Sequence, residues 1–381
     1  MALIGMVITV VFLIWLQGLI YRKRWKRNLE MKLSFSAVEA FEGDRLYLTE
    51  ELTNAKLLPL PWVAAKFQIS RNLYFIGQRN FKISDDYYQN DIFSINMYQK
   101  ITRRLDFICG RRGYYQIKSM NLASSNIFIT EKLVKQIPCN AALTVFPKRI
   151  PFEELDILFR QVYGEIVVQR FTNPDPFAFK GIREYQPQDD FRSINFKATA
   201  KTNQLMVNIN SSTASQELVI LLNLQPYSAW SREGVFEEGI RLAASAAEYF
   251  IRKGLAVGVY SNGLDAVTHN QIRLKPGSGD GHFYSILQNL GRIDLSQQTE
   301  SFSGQIEKLI HPETAYLLIS SYDGERLQKA FERLRSMGTV ARWILPALPE
   351  DEVQVEESQY IQRWEVKPYD TWADFYQKNT G

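Results

Sequence analysis

Two adjacent carboxylates, Asp189 and Asp190, stand between two guanidiniums, Arg183 and Arg192, in the stretch GIREYQPQDDFRSINFKATAKTNQLMV from Gly181 to Val207. Three chemistries suit such a set. Carboxylates and guanidiniums close in sequence form a hydrogen-bonded ion-pair network that holds a segment against its domain. The same polar surface, with Glu184, Tyr185 and Lys201, also serves as a docking face for a partner or a small ligand. A carboxylate pair, with Glu165 as a further acid, would do general acid–base work. Adjacent Asp189 and Asp190 point to different sides of an extended chain, however, and no nucleophile accompanies them. No catalytic residue is assigned on these grounds.

Few other chemistries find material. The two cysteines, Cys109 and Cys139, cannot build a disulfide framework, and the three histidines, His269, His282 and His311, leave little for a histidine-rich metal site. GSGDGH at Gly277–His282 is glycine-rich and precedes a helical pattern, but it lacks the Lys-Ser/Thr ending of a phosphate-binding loop, so it reads as a turn. No cofactor is expected. Asn210-Ser211-Ser212 matches a glycosylation sequon that a cytosolic location would leave inert.

The elements that would position the charged motif follow from patterning. With 45% hydrophobic and 23% charged residues the chain is a folded protein, and 381 residues suggest two domains and some additional structure. Ala2–Tyr21, ALIGMVITVVFLIWLQGLIY, carries no charge, and as a helix it reaches ~30 Å, the thickness of a hydrocarbon core. Trp15 and Tyr21 lie toward its end, where amphipathic rings prefer the interface. The net charge is +4, yet Arg22, Lys23, Arg24, Lys26 and Arg27 alone supply five positive charges. The basicity is therefore local, which argues against a nucleic-acid binder and for a membrane border. With positive charge only after the helix, the positive-inside rule places the remaining chain in the cytoplasm and makes the helix an uncleaved anchor. The collar would also attract anionic lipid head groups.

Residues 31–147 read as a β-sandwich of Ig-like type: short aromatic and β-branched runs, with Phe93, Ile95 and Met97 alternating with polar positions, punctuated by Pro and Gly. Residues 22–30 form a basic juxtamembrane segment. Residues 217–350 alternate strands (ELVILLNL, LAVGVYSNG, AYLLISS, TVARWILP) with helices near Val235–Lys253 and in DGERLQKAFERLRSMG, which predicts an open α/β domain. Residues 148–216, polar and holding the charged motif, connect the two. Residues 351–381 form a C-terminal tail in which DTWADFYQ reads as a short aromatic helix.

The order and spacing of Arg183, Glu184, Tyr185, Asp189, Arg192, Ile194 and Ala200, with RRGYYQI at Arg111–Ile117 and VFP at Val145–Pro147, resemble the bacterial domain-of-unknown-function-58 family. Gln188, Phe196 and Lys201 depart from the family's usual Gly, Trp and Arg. Lys cannot reproduce the planar donor fork of Arg. The resemblance implies a membrane segment, a β-rich region, this signature and a von Willebrand A-like α/β domain. Such domains often hold Mg²⁺ in an Asp-x-Ser-x-Ser loop after the first strand. Here those positions are Asn223, Gln225 and Tyr227, so no metal is expected, and Asp323 after a later strand reads as a helix N-cap.

The resulting expectation is a single-pass, membrane-anchored, non-enzymatic cytoplasmic adaptor. The resemblance implies a MoxR-type AAA+ ATPase as its partner and transglutaminase-like membrane proteins as neighbours. The alternatives are a membrane-associated enzyme using Asp189, Asp190 or Glu165, and a binding module facing outward in the opposite orientation.

Overall fold

A computed structural model describes all residues except 1, 77–81, 84–85, 127–130, 173–178, 188, 211–216, 227–232, 298, 310, 312–313 and 368–381. DTWADFYQ, Gln188 and Tyr227 lie outside the described residues. The chain divides into two compact units.

The first unit runs to Lys148 and takes in Leu290–Ile293. It opens with α1 (Ala2–Arg24), a helix long and apolar enough to cross a membrane, whose apolar side chains from Leu3 to Ile20 are largely exposed. Among the described residues ten strands follow: β1 (Leu29–Phe35), β2 (Glu39–Phe41), β3 (Arg45–Asn54), β4 (Leu60–Ser70), β5 (Leu73–Phe75), β6 (Lys82–Ile83), β7 (Asp86–Ile95), β8 (Gln99–Cys109), β9 (Gly113–Ser125) and β10 (Lys132–Phe146). They form two sheets, ordered β1-β3-β8-β5 and β2-β10-β9-β4-β7-β6. Leu48 and Leu52 of one sheet share a single core with Val63, Phe93, Leu122 and Leu143 of the other, so the unit is a β-sandwich.

Two expectations are corrected here. Residues 22–30 are not a separate segment, because α1 continues to Arg24, Trp25 enters the sandwich core, and Leu29 already begins β1. Met97 is exposed rather than on the apolar face, since β7 ends at Ile95 and the chain turns through Tyr98 at φ 49°. The RRGYY landmark has a local cause. Gly113 adopts φ 154°, the Tyr115 hydroxyl donates to the Arg111 carbonyl at 2.7 Å, and Glu42 accepts from the Arg112 amide at 2.8 Å.

The second unit begins at Arg149. Its strands are β11 (Phe179–Glu184), β12 (Met206–Asn210), β13 (Glu217–Asn223), β14 (Ala256–Asp265), β15 (Gln271–Gly277), β16 (Ile293–Asp294), β17 (Thr314–Ser320), β18 (Ala341–Ala347) and β19 (Ile361–Glu365). Its helices are α2 (Phe152–Thr172), α3 (Phe196–Thr202), α4 (Glu233–Arg252), α5 (Asp280–Gly291), α6 (Ser303–Leu309) and α7 (Glu325–Ser336). The main sheet is ordered β15-β14-β13-β17-β18-β19, parallel except for β15 at one edge. β13 is buried on both faces, as a central parallel strand requires. Val219 and Leu221 share a core with Leu327, Phe331 and Leu334 of α7, while Gly239 of α4 sits against Leu222 and Ile319 on the other face.

The region 148–216 contains the 21-residue helix α2. Leu155, Phe159, Val162 and Ile166 are all buried, and their spacing is helical. Phe159 packs on Tyr249 and Phe250 of α4 at 5.3 and 5.4 Å between ring centroids. Residues 351–381 are not simply a tail: β19 adds a strand parallel to β18.

Candidate docking surface

The charged motif folds as a small excursion from the α/β unit. β11 and β12 pair antiparallel, with Arg183 opposite Val207 and Glu184 opposite Met206. Between them the chain makes a 3-10 turn, Phe191–Ser193, and then α3. Both are capped as their sequences dictate. The Asp190 carboxylate accepts from the Arg192 amide at 3.0 Å, and the Asn195 side chain accepts from the Ala198 amide at 2.9 Å.

The motif's charges divide between two tasks. Arg183 grips Asp189 with both terminal nitrogens at 2.6 Å, and Asp189 also accepts from the Gln186 amide at 2.8 Å. The Arg183 hydrogen bond, reinforced by that amide, holds the Asp189 carboxyl below its ordinary range. Arg183 donates as well to the Glu184 carbonyl at 2.9 Å. These groups lock the loop. The side chains of Glu184, Arg192 and Lys201 are exposed, and the Tyr185 ring lies 5.8 Å from that of Phe191.

Two residues outside the charged set change the character of this surface. Phe191 is 72% exposed and Phe196 is 76% exposed, and Ile182 of β11 and Leu205, just before β12, are exposed as well. The run DDFRSINFK holds the signal in the sequence: two aromatics in a short, mostly polar turn.

The carboxylates proposed for acid–base work are all engaged. Asp189 is bound by Arg183, Asp190 caps the turn, and Glu165 pairs with Arg342, which donates from Nε at 3.0 Å.

At the carboxyl ends of β13 and β17, where the strand order reverses and open α/β sheets bind ligands, a buried amide network fills the crevice. Asn223 donates to Ser320 Oγ at 3.0 Å, while its carbonyl oxygen accepts from the Gln225 amide and from Asn262 Nδ2. Asn262 in turn accepts from the Leu224 amide and donates to the Glu300 carbonyl. Among the described residues no three His, Cys, Asp or Glu side chains gather at one place. Asp323 is not the N-cap of α7, a position held by Gly324. It is buried and accepts from the Gln354 amide at 2.6 Å, tying the segment before β19 to the strand end. In the Gly277–His282 turn, the His282 ring occupies the space a Cβ at Gly277 would need and donates to the Val257 carbonyl at 2.7 Å. That glycine accommodates a side chain of the same turn.

Similar solved structures match the chain only in part. The CARDB domain of a Pyrococcus furiosus protein is 10% identical, with 31% of this chain and 93% of that chain covered and a TM-score of 0.20. A non-cellulosomal cohesin from Archaeoglobus fulgidus is 10% identical, with 33% and 96% covered and a TM-score of 0.20. The sixth cohesin of Acetivibrio cellulolyticus scaffoldin B is 16% identical, with 30% and 98% covered and a TM-score of 0.21. The β-sandwich assignment rests on the strand pairing itself. No curated protein matches the chain. Residues 181–341, from the charged motif to the start of β18, match the family model described as "Protein of unknown function DUF58".

Proposed function

We propose that the protein is a membrane-anchored, non-enzymatic adaptor. In this reading α1 crosses the cell membrane, both folded units lie in the cytoplasm, and the α/β unit, of von Willebrand A-like type, docks a protein partner. Resemblance to the family points to a MoxR-type AAA+ ATPase as that partner. The strand order, with the first strand of the sheet central and one antiparallel edge strand, supports the von Willebrand A-like reading. The observation that carries the docking reading is the exposure of Phe191 and Phe196 beside Arg192 and Lys201 on a loop already held by the Arg183–Asp189 pair. Aromatic and arginine anchors on a preorganised surface are the usual source of interface affinity. The engagement of Asp189, Asp190 and Glu165 favours a binding role over acid–base chemistry.

The test is co-purification from mild detergent, with and without nucleotide, comparing the native chain with Phe191→Ala, Phe196→Ala and Arg192→Glu. The expected result is an ATPase retained by the native chain and lost from the variants with folding intact. Retention of no ATPase in either nucleotide state, or equal retention by all variants, overturns the proposal.

A further inference from the structure

α1 is built into the sandwich rather than hung from it. Tyr21 and Trp25 are buried in the sandwich core, and the Tyr21 hydroxyl donates to the Pro59 carbonyl at 2.7 Å. Pro59 belongs to the β3–β4 loop, residues 55–59. Buried Asn54 fastens this loop to the β7–β8 turn by donating to the carbonyls of Leu58 at 3.0 Å and Asn96 at 2.7 Å, and the Tyr98 amide donates to Lys56 at 3.3 Å. The end of the sandwich that receives α1 is therefore the end that carries these two tips.

The tips are apolar where loop tips are ordinarily polar. Leu57 is 70% exposed, Tyr98 is 68% exposed, and Met97 between β7 and β8 is exposed as well. Beside them an apolar groove of about 330 Å³ runs between α1 and the loop, lined by Leu13, Leu16, Ile20 and Leu58. The Gln17 amide also lines it, and neither its nitrogen nor its oxygen meets a hydrogen-bond partner. The Lys56 amine has no partner either, and burial together with the charge of Lys135 lowers its pKa to about 8. Exposed Lys23 and Arg24 end the helix, and exposed Lys26 and Arg27 follow it. Exposed cations at the end of α1, apolar tips and an exposed tyrosine match the interface of an anionic bilayer.

We propose that this end of the sandwich is a membrane-apposed face, in which Leu57, Met97 and Tyr98 enter the head-group region of the bilayer that α1 crosses. The inference rests on reading α1 as a membrane anchor. Continuity identifies the occupant: with Tyr21 ending a span of ~30 Å, a loop bonded to its hydroxyl lies at the lipid surface.

The experiment uses the full chain in vesicles of phosphatidylcholine with or without phosphatidylglycerol, bearing one environment-sensitive fluorophore on Leu57→Cys, Met97→Cys or Val38→Cys in a Cys109→Ala, Cys139→Ser background. Val38 is an exposed residue of the same unit, beyond Phe35 at the far end of β1, which pairs Leu29 with Asn54 and Phe35 with Leu48. At about 3.3 Å per residue it is ~20 Å or more from the tips. Spin-labelled lipid should quench positions 57 and 97 but not 38, more strongly with phosphatidylglycerol. If α1 resists alkaline extraction yet positions 57 and 97 are quenched no more than 38, the face is not on lipid and the inference fails. Energy transfer between copies labelled at position 57, without quenching, would give the face to a second chain and overturn it equally. Alkaline release of the protein would defeat the anchor reading itself, and this inference with it.

Discussion

Glu50 should make the sandwich lose stability as pH rises, and Glu50→Gln should remove that loss. Glu50 is 0% exposed on β3 between Leu48 and Leu52, which are equally buried. Neither of its oxygens meets a hydrogen-bond donor. Burial, then the charge of Asp91, raises its pKa to about 9, with Arg103 opposing; Arg103 donates to Asp91 at 2.6 Å. In the unfolded chain a glutamate titrates at about 4.3. Between these values the folded state holds a proton that the unfolded state has lost, so stability falls with increasing pH by up to about 1.4 kcal/mol per unit. From pH 5 to 8 this sums to at most about 4 kcal/mol. Glutamine keeps the shape and has no proton to lose, so the variant should gain over the native chain as pH rises, with the two converging near pH 5. Cys109, buried in the same core, supplies the assay. In detergent, in a Cys139→Ser background, its labelling through a denaturant series gives an unfolding midpoint at each pH, and comparing native and variant at equal pH cancels the thiol's own titration. A difference between native and variant that stays constant from pH 5 to 8 would refute the reasoning.

Asp189→Asn should loosen the signature loop, because a neutral amide cannot accept both Arg183 nitrogens and the Gln186 amide as a carboxylate does; faster hydrogen exchange at Gln186 reports it. Since Asp189's folded pKa is depressed, the native loop should show the same loosening as pH falls through that value, whereas the variant's exchange ratio to its neighbours should not change with acid. Asn223→Asp puts a carboxylate where the Ser320 hydroxyl now receives a donor and the Gln225 amide donates, and should cost about 1–3 kcal/mol, read by thermal unfolding above the carboxylate range. Gly110→Ala places a Cβ 1.9 Å from Tyr74 and 2.8 Å from the Asn72 carbonyl, so it should destabilise the first unit by about 1–3 kcal/mol in the same measurement.

Elements whose signal is local were legible. The uncharged run predicts α1 from Ala2, and the helix extends only to Arg24, past the expected Tyr21. The stripe Phe236 to Phe250 predicts a helix near 235–253, and α4 spans Glu233–Arg252. The helix predicted in DGERLQKAFERLRSMG is α7, though its cap is Gly324 and not Asp323. α2 was legible in principle, since Leu155, Phe159, Val162 and Ile166 recur at helical spacing. Its apolar runs, Ile157–Phe159 and Ile166–Val168, are only three residues long, so the length of apolar runs does not reveal it.

The amino-acid sequence by itself determined where the chain is apolar, which runs alternate and which recur with a helical period, because those patterns reside in neighbouring residues. It also contained the charged motif with its Arg183 and Asp189. Which carboxylate Arg183 would hold, that Phe191 and Phe196 would be left outside every core, and that Tyr21 would bond to Pro59 were decided only by tertiary structure. Each depends on strand pairing and burial between residues distant along the chain, and the solvation of a side chain is set by everything that packs around it.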